Sequence, residues 1–190
     1  MRITTPYSVV LDACGIYAAS LRDLLLELAL SDLFRLHWTN RIHDEWTHAL
    51  RANRPDLAVA DIARVRALMD MHFPSALIDG YEHLEPSLVL PDADDRHVGA
   101  AALHARCNAI ITYNLEDFPI AVLDPLGIEV IHPDSFVIAQ LDLDEPSVVA
   151  AARRVRARPK SPPFSAEEYL ERLLVVGLVQ TVARLEAHVR

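Results

Sequence analysis

Acidic side chains stand in this chain where an α/β sheet would gather them. Asp12 ends the short apolar run Ser8-Val9-Val10-Leu11, and Asn114, Glu116 and Asp117 follow a second such run that opens at Ala109. Asp92, Asp94 and Asp95 lead into an Ala-rich stretch, Arg96 to Arg106, and Glu45 lies in an early helical region. In an open parallel sheet, ligands sit outside the carboxyl ends of the strands. Asp12 and Asp117 belong at that edge. A helix running back from it starts nearby, so Asp94 and Asp95 belong there too, and Glu45 would complete the ring. Carboxylates a few ångströms apart raise one another's pKa values. A hard divalent cation resolves the repulsion, and oxygen-only ligation favours Mg²⁺ or Mn²⁺. Such ions bind phosphate oxygens and lower the pKa of bound water, so the chemistry such a cluster suggests is metal-assisted phosphodiester hydrolysis. Each acid also has a plainer role when taken singly. Asp12 and Asp117 suit turns, Asp94 or Asp95 a helix cap, and Glu45 a solvated helix face.

Strands alternating with helices must position these groups. Ser8–Leu11, Ala109–Tyr113 and Ile128–Ile131 read as strands, the first two fully buried. Phe34 to Trp38 is a short strand or a loop. Leu21, Leu24, Leu25 and Leu28 recur at helical spacing, as do Ile42, Trp46 and Ala49. Pro55 suits the start of a further helix reaching about His72. The fold class is therefore α/β, with helices packed on a mainly parallel central sheet. Residues 1–140 read as the main domain and 141–190 as a C-terminal helical extension. In the extension, a helix from Pro146 to Arg158 carries Arg153, Arg154, Arg156 and Arg158, followed by Lys160. Ser165 to Glu168 has a capping-box pattern that opens one last helix to about His188.

Composition bounds the rest. The chain has 190 residues, with about half of them apolar and a formal net charge of −9. Residues 1–140 carry 20 acids and 10 bases, whereas 141–190 carry 7 acids and 8 bases. Bulk charge therefore does not draw nucleic acid, which needs Lys and Arg at its phosphates. The Arg153–Lys160 cluster is either a solvated helix face or an RNA-backbone contact. Cys14 and Cys107 read as buried thiols of a reducing compartment. No segment approaches the ~18 apolar residues of a membrane span, and the N-terminus makes a poor signal peptide, so a cytoplasmic protein is expected. His43 and His48 do not form HExxH, and His97 and His104 read as packing or surface histidines. No GxGxxG, P-loop or GxSxG is present. A phosphatase of the aspartyl-nucleophile type wants Asp-x-Asp after the first strand, where this chain has Asp12-Ala13-Cys14.

Four blocks of residues resemble the PIN-domain family, in particular ribonucleases of the VapC toxin type. They are Val9-Val10-Leu11-Asp12; Glu45 within Ile42 to Trp46; Leu90 to Val98 with Ala100 to Ala102; and Ile110 to Phe118 with its Thr-x-Asn-x-x-Asp-Phe pattern. The resemblance covers about residues 6–136. It implies a compact three-layer α/β/α fold, a Mg²⁺ or Mn²⁺ site and cleavage of single-stranded RNA. Matched by position, Asp12, Glu45, Asp95 and Asp117 look like the acidic metal ligands, with Asn114 beside Asp117. Asp92 and Asp94 compete for the third place, and Asp44 for the second. Thr112 matches a polar position that supports the acidic centre. The implied setting is the toxin half of a toxin–antitoxin pair, with a cognate antitoxin as partner; dimerisation is usual among similar proteins. The competing reading is a catalytically inactive binding module that uses the acidic face for a partner.

Overall fold

The computed structural model of the protein describes residues 7–159 and 162–189. Along the chain run β1 (Ser8–Leu11), α1 (Ala13–Tyr17), α2 (Ala19–Ala29), β2 (Arg35–His37), α3 (Asn40–Asn53), α4 (Val59–His72), α5 (Arg96–His104), β3 (Ala109–Ile111), α6 (Ile120–Leu123), β4 (Glu129–Ile131), α7 (Pro133–Ala157), α8 (Ala166–Val175) and α9 (Val179–Val189). They form two compact units. One holds the described residues through Tyr17 together with Arg35–Ile131; the other holds Ala18–Phe34 and the described residues from His132 onward.

The first unit is built on a four-stranded sheet of order β2-β1-β3-β4, parallel at every pairing. This is the α/β class expected from the alternation of strands and helices. β1 and β3 are central and wholly buried, which is why both read as unbroken apolar runs. Val10 lies opposite both His37 and Ile110, and Ile110 opposite Val130. β2 flanks β1 on one side and β3 on the other, so the strand order reverses between β1 and β3. Their carboxyl ends form the switch point where open α/β sheets bind ligands.

Two helix limits differ from expectation. α4 starts at Val59 rather than Pro55, because Arg54 to Leu57 close a turn through Leu57 N–H to the Arg54 carbonyl (3.0 Å). The single last helix is two helices. Gly177 between them takes a left-handed φ of 82°, which ends α8 and redirects the chain into α9. The Ser165 capping box at the start of α8 is present.

The second unit packs α2 with α7, α8 and α9. α7 breaks at Asp144, where φ is −153° and ψ 77°. The Asp144 carboxylate accepts from the Ser147 N–H (3.1 Å) and hydroxyl (2.7 Å), so it caps the second half of the helix, in which Pro146 falls in the first turn. Asp134, buried at the other end of α7, accepts from the backbone N–H groups of Gln180 (2.9 Å) and Thr181 (2.9 Å) and so closes the start of α9. Among the described residues no helix is long and apolar enough to cross a membrane.

Candidate metal and nuclease centre

Asp12 is fixed by everything around it. β1 ends here, and the Asp12 N–H donates to the Ile111 carbonyl (3.1 Å), extending the β1–β3 ladder by one bond. α1 starts at the next residue, so Oδ1 of Asp12 accepts the Ala13 N–H (2.6 Å). Oδ2 accepts the Thr112 hydroxyl (2.7 Å) and the Cys14 thiol (3.0 Å). Thr112 follows β3, is fully buried, and accepts the Asn114 N–H at the same oxygen (3.0 Å). The hydroxyl has one proton, and with Asn114 filling one lone pair it points at the carboxylate. Burial, then the charge of Asp12, pushes the Cys14 thiol up to about 12, so it stays protonated and acts as a donor rather than a nucleophile. Thr112→Val should therefore leave Oδ2 of Asp12 with only the Cys14 thiol as donor. We expect about 1–2 kcal/mol lower stability in urea. An unchanged urea midpoint would show that the hydroxyl does not hold Asp12 in place.

Asp95 precedes α5 at the N-cap position, but its side chain makes no cap hydrogen bond. The expected capping role is thus absent, and the carboxylate faces a cavity instead. Burial raises its pKa to about 6, helped by the charges of Asp12, Asp117 and Asp92 in that order. Asp117 lies on the 3₁₀ turn Leu115–Asp117, whose closing bond runs from its N–H to the Asn114 carbonyl (3.2 Å). Asp92 accepts the Asp94 N–H (2.8 Å) and is exposed. The Asp94 side chain is 92% exposed and lies 3.9 Å from Arg41.

Glu45 arrives from α3. Thr39 caps that helix by accepting the Ile42 N–H (3.1 Å), and buried Ile42 and Trp46 set its inner face. The Trp46 indole N–H donates to Nδ1 of His43 (2.9 Å), so the His43 proton sits on Nε2 and is given to Asp70 (3.0 Å). Trp38 donates to the same Asp70 oxygen (2.9 Å). This buried network locks the rotation of α3. Glu45 then meets Arg41 at 3.5 Å and Nε2 of His97 at 2.9 Å. His97 is fully buried, and neither ring nitrogen makes a well-aligned hydrogen bond. Asp44, one residue away, faces Arg66 (2.5 Å) and is exposed.

Asp12, Glu45, Asp95 and Asn114 line one cavity of about 450 Å³, with Cys14 and Trp46 also in its wall. Asp117 is outside that lining but acts on Asp95 through its charge. Among the described residues, no three His, Cys, Asp or Glu side chains stand close enough together to hold a metal ion as placed. The donor set nevertheless fits a hard cation: it is all oxygen, and the carboxyl of Asp95, raised to about 6 by burial and then by the charges of Asp12, Asp117 and Asp92, stands in a centre that a cation would relieve. Of the basic residues after Glu145, Arg153 donates to the His188 carbonyl (2.6 Å), and Arg154 and Arg158 both pair with Glu27. Arg156 is half-buried, and Lys160 lies outside the described residues.

Sequence patterns did not single out Cys14, His97 or Arg41 for this centre. Cys14 stands two residues after Asp12 and His97 two after Asp95, a proximity that was the available signal. His104, by contrast, is exposed against His83, with ring centroids 6.0 Å apart.

The family model described as PIN domain matches residues 8–116, and the one described as VapC50 C-terminal domain matches residues 133–187. The chain is 40% identical over 79 residues to the protein named "Putative ribonuclease VapC50" of Mycobacterium tuberculosis (strain ATCC 25618 / H37Rv), a stretch covering 42% of this chain and 47% of that protein. The match spans about half the length of that curated relative. No solved structure matches the chain. The PIN match runs through more than half of the chain and takes in Asp12, Glu45, Asp95, Thr112 and Asn114. The protein with this cavity at its strand switch point belongs to the PIN-domain family.

Proposed function

We propose that the chain is a Mg²⁺- or Mn²⁺-dependent endoribonuclease acting on single-stranded RNA, the toxin component of a type II toxin–antitoxin pair. One observation carries the reading: Asp12, Glu45, Asp95 and Asn114 line one cavity at the carboxyl edge of the sheet, where burial, helped by the charges of Asp12, Asp117 and Asp92, raises the Asp95 pKa to about 6. The similarity to a relative named a ribonuclease supports it. Asp12, Glu45 and Asp95 would hold the cation, with Asp117 assisting and Asn114 beside it. The ion supplies Lewis acidity toward the phosphate and lowers the pKa of bound water. The chain's own residues do the positioning. Thr112, Cys14 and the Ala13 N–H aim the Asp12 carboxylate. His97 and Arg41 brace Glu45. Above pH 6 Asp95 has given up its proton and is free to bind the cation. The partners would be RNA and a small cognate antitoxin that covers the acidic centre, with a second copy of the chain as a further partner.

The spacing of the carboxylates favours one other reading, a module that binds a partner through its acidic face without catalysis. A single assay separates the two: a single-stranded RNA incubated with the chain in Mg²⁺, in Mn²⁺ and in EDTA. Cleavage that needs the metal supports the ribonuclease. Intact RNA under every condition, with no heat of Mn²⁺ binding by calorimetry, leaves the binding module.

A further inference from the structure

The cavity changes character away from its carboxylates. Tyr17, Trp46, Ala49 and Asn53 complete its wall. Tyr17 closes α1, which starts directly after Asp12; Asn53 closes α3, which carries Glu45. Tyr17 is thus about 7.5 Å of helix rise beyond Asp12. Glu45, Ala49 and Asn53 are four apart, so they form one stripe that leads about 12 Å along α3 from the acidic centre. Tyr17 is half-buried and Asn53 exposed, and one turn before Asn53 the stripe offers only the methyl group of Ala49. Behind this stretch Trp46 is buried and held by His43, so the wall is rigid.

We propose that Tyr17, Ala49 and Asn53 form a nucleobase subsite, in which the base next to the scissile phosphate stacks on the Tyr17 ring above Ala49 and meets the Asn53 amide at its edge. The inference rests on the ribonuclease reading and names how that site takes its substrate. Charge argues for it. Residues 1–140 are ten acids in excess of their bases, so a polyanion gains little there from its backbone. Stacking on an aromatic ring needs no positive charge and tolerates any base. It also requires an unstacked base, which selects single strands over duplex. The cavity volume is of the size that encloses a small ligand group.

The test pairs protein variants with substrate variants. A single-stranded oligoribonucleotide is cleaved in Mn²⁺, intact or with one abasic nucleotide moved along it. The intact strand should lose about 5- to 150-fold in kcat/KM with Tyr17→Ala. One abasic position beside the cut should cost the wild-type protein a similar factor and cost Tyr17→Ala nothing more. Tyr17→Phe, which keeps the ring, should recover most of the loss, and Ala49→Leu, which fills the slot, should behave like Tyr17→Ala. A 2-aminopurine at that position should be quenched on binding in Ca²⁺ by the wild-type chain and not by Tyr17→Ala. Equal losses by Tyr17→Ala on intact and abasic strands overturn the proposal and point to a structural role or a protein partner's side chain in the slot. If the wild-type chain cleaves but Tyr17→Ala matches it, the subsite alone falls. If the wild-type chain does not cleave in any metal, the ribonuclease reading falls and takes the subsite with it.

Discussion

Asp12→Asn is expected to lower RNA cleavage by roughly 10²–10⁴-fold, the range set by removing one preorganised charged group from a reaction centre. The expectation follows from how the side chain is held. Oδ1 faces the Ala13 N–H, and an asparagine oxygen accepts that bond equally well. Oδ2 faces the Thr112 hydroxyl, which can turn to accept from an amide while still accepting from Asn114. The substitution therefore keeps shape and most hydrogen bonds and removes the charge. The urea midpoint should move little, by about 1 kcal/mol or less. Rates and unfolding measured on the same preparation separate lost chemistry from lost fold. Cleavage within a few-fold of wild type would falsify the assignment of Asp12 to the metal.

The parts of the fold that sequence revealed are those whose physics is local. β1 and β3 are buried on both faces, so apart from Ser8 at the start of β1 their residues are apolar, and the polar residue after each run marks the sheet edge. The capping box at Ser165 is a contact between residues three apart and reads directly. Other features depend on contacts across the chain. Asp95 looks like a helix cap because of where it stands, yet its carboxylate turns to the cavity, and only the tertiary arrangement says so. Arg154 and Arg158 look like a solvated or RNA-facing pair until Glu27, more than 120 residues earlier, takes both. The apolar stripe through Leu173, Leu178, Val182 and Leu185 continues past Gly177 and so hides the break between α8 and α9. His97 was visible only as a histidine on a helical face. It is buried and meets Glu45, which lies on a different helix, α3, so the contact exists only in the folded first unit. Of the acidic positions expected at the centre, topology brings Asp12, Glu45 and Asp95 to one cavity and leaves Asp117 outside its lining. The groups that hold them in place were not legible in the sequence.

Asp95→Asn should weaken function and strengthen the metal-free fold at once. The folded pKa of Asp95, about 6, lies above its ordinary 3.8. Between those values the folded chain keeps a proton that the unfolded chain has lost. Stability therefore falls as pH rises through this window, and above pH 6 the whole cost is present. A shift of two units corresponds to more than 2 kcal/mol for a group cut off from water. Asp95 is partly exposed and screened, so about 1 kcal/mol is the figure to expect. Asparagine removes the charge and with it the cost. In EDTA at pH 8, Asp95→Asn should melt about 2–4 °C above wild type. The gap should close as the pH falls below 3.8, because the wild-type carboxyl then becomes protonated in both states. Mn²⁺ reverses the order, because the ion stabilises by binding only the folded chain and the wild type binds it better. Below pH 6 the proton competes with the ion, so wild-type Mn²⁺ affinity should fall, approaching tenfold per pH unit. Cleavage by Asp95→Asn should drop roughly 10²–10⁴-fold. A variant less stable than wild type in EDTA at pH 8 would show that Asp95 serves the fold, because a carboxylate kept for a cation is a burden to the chain without it.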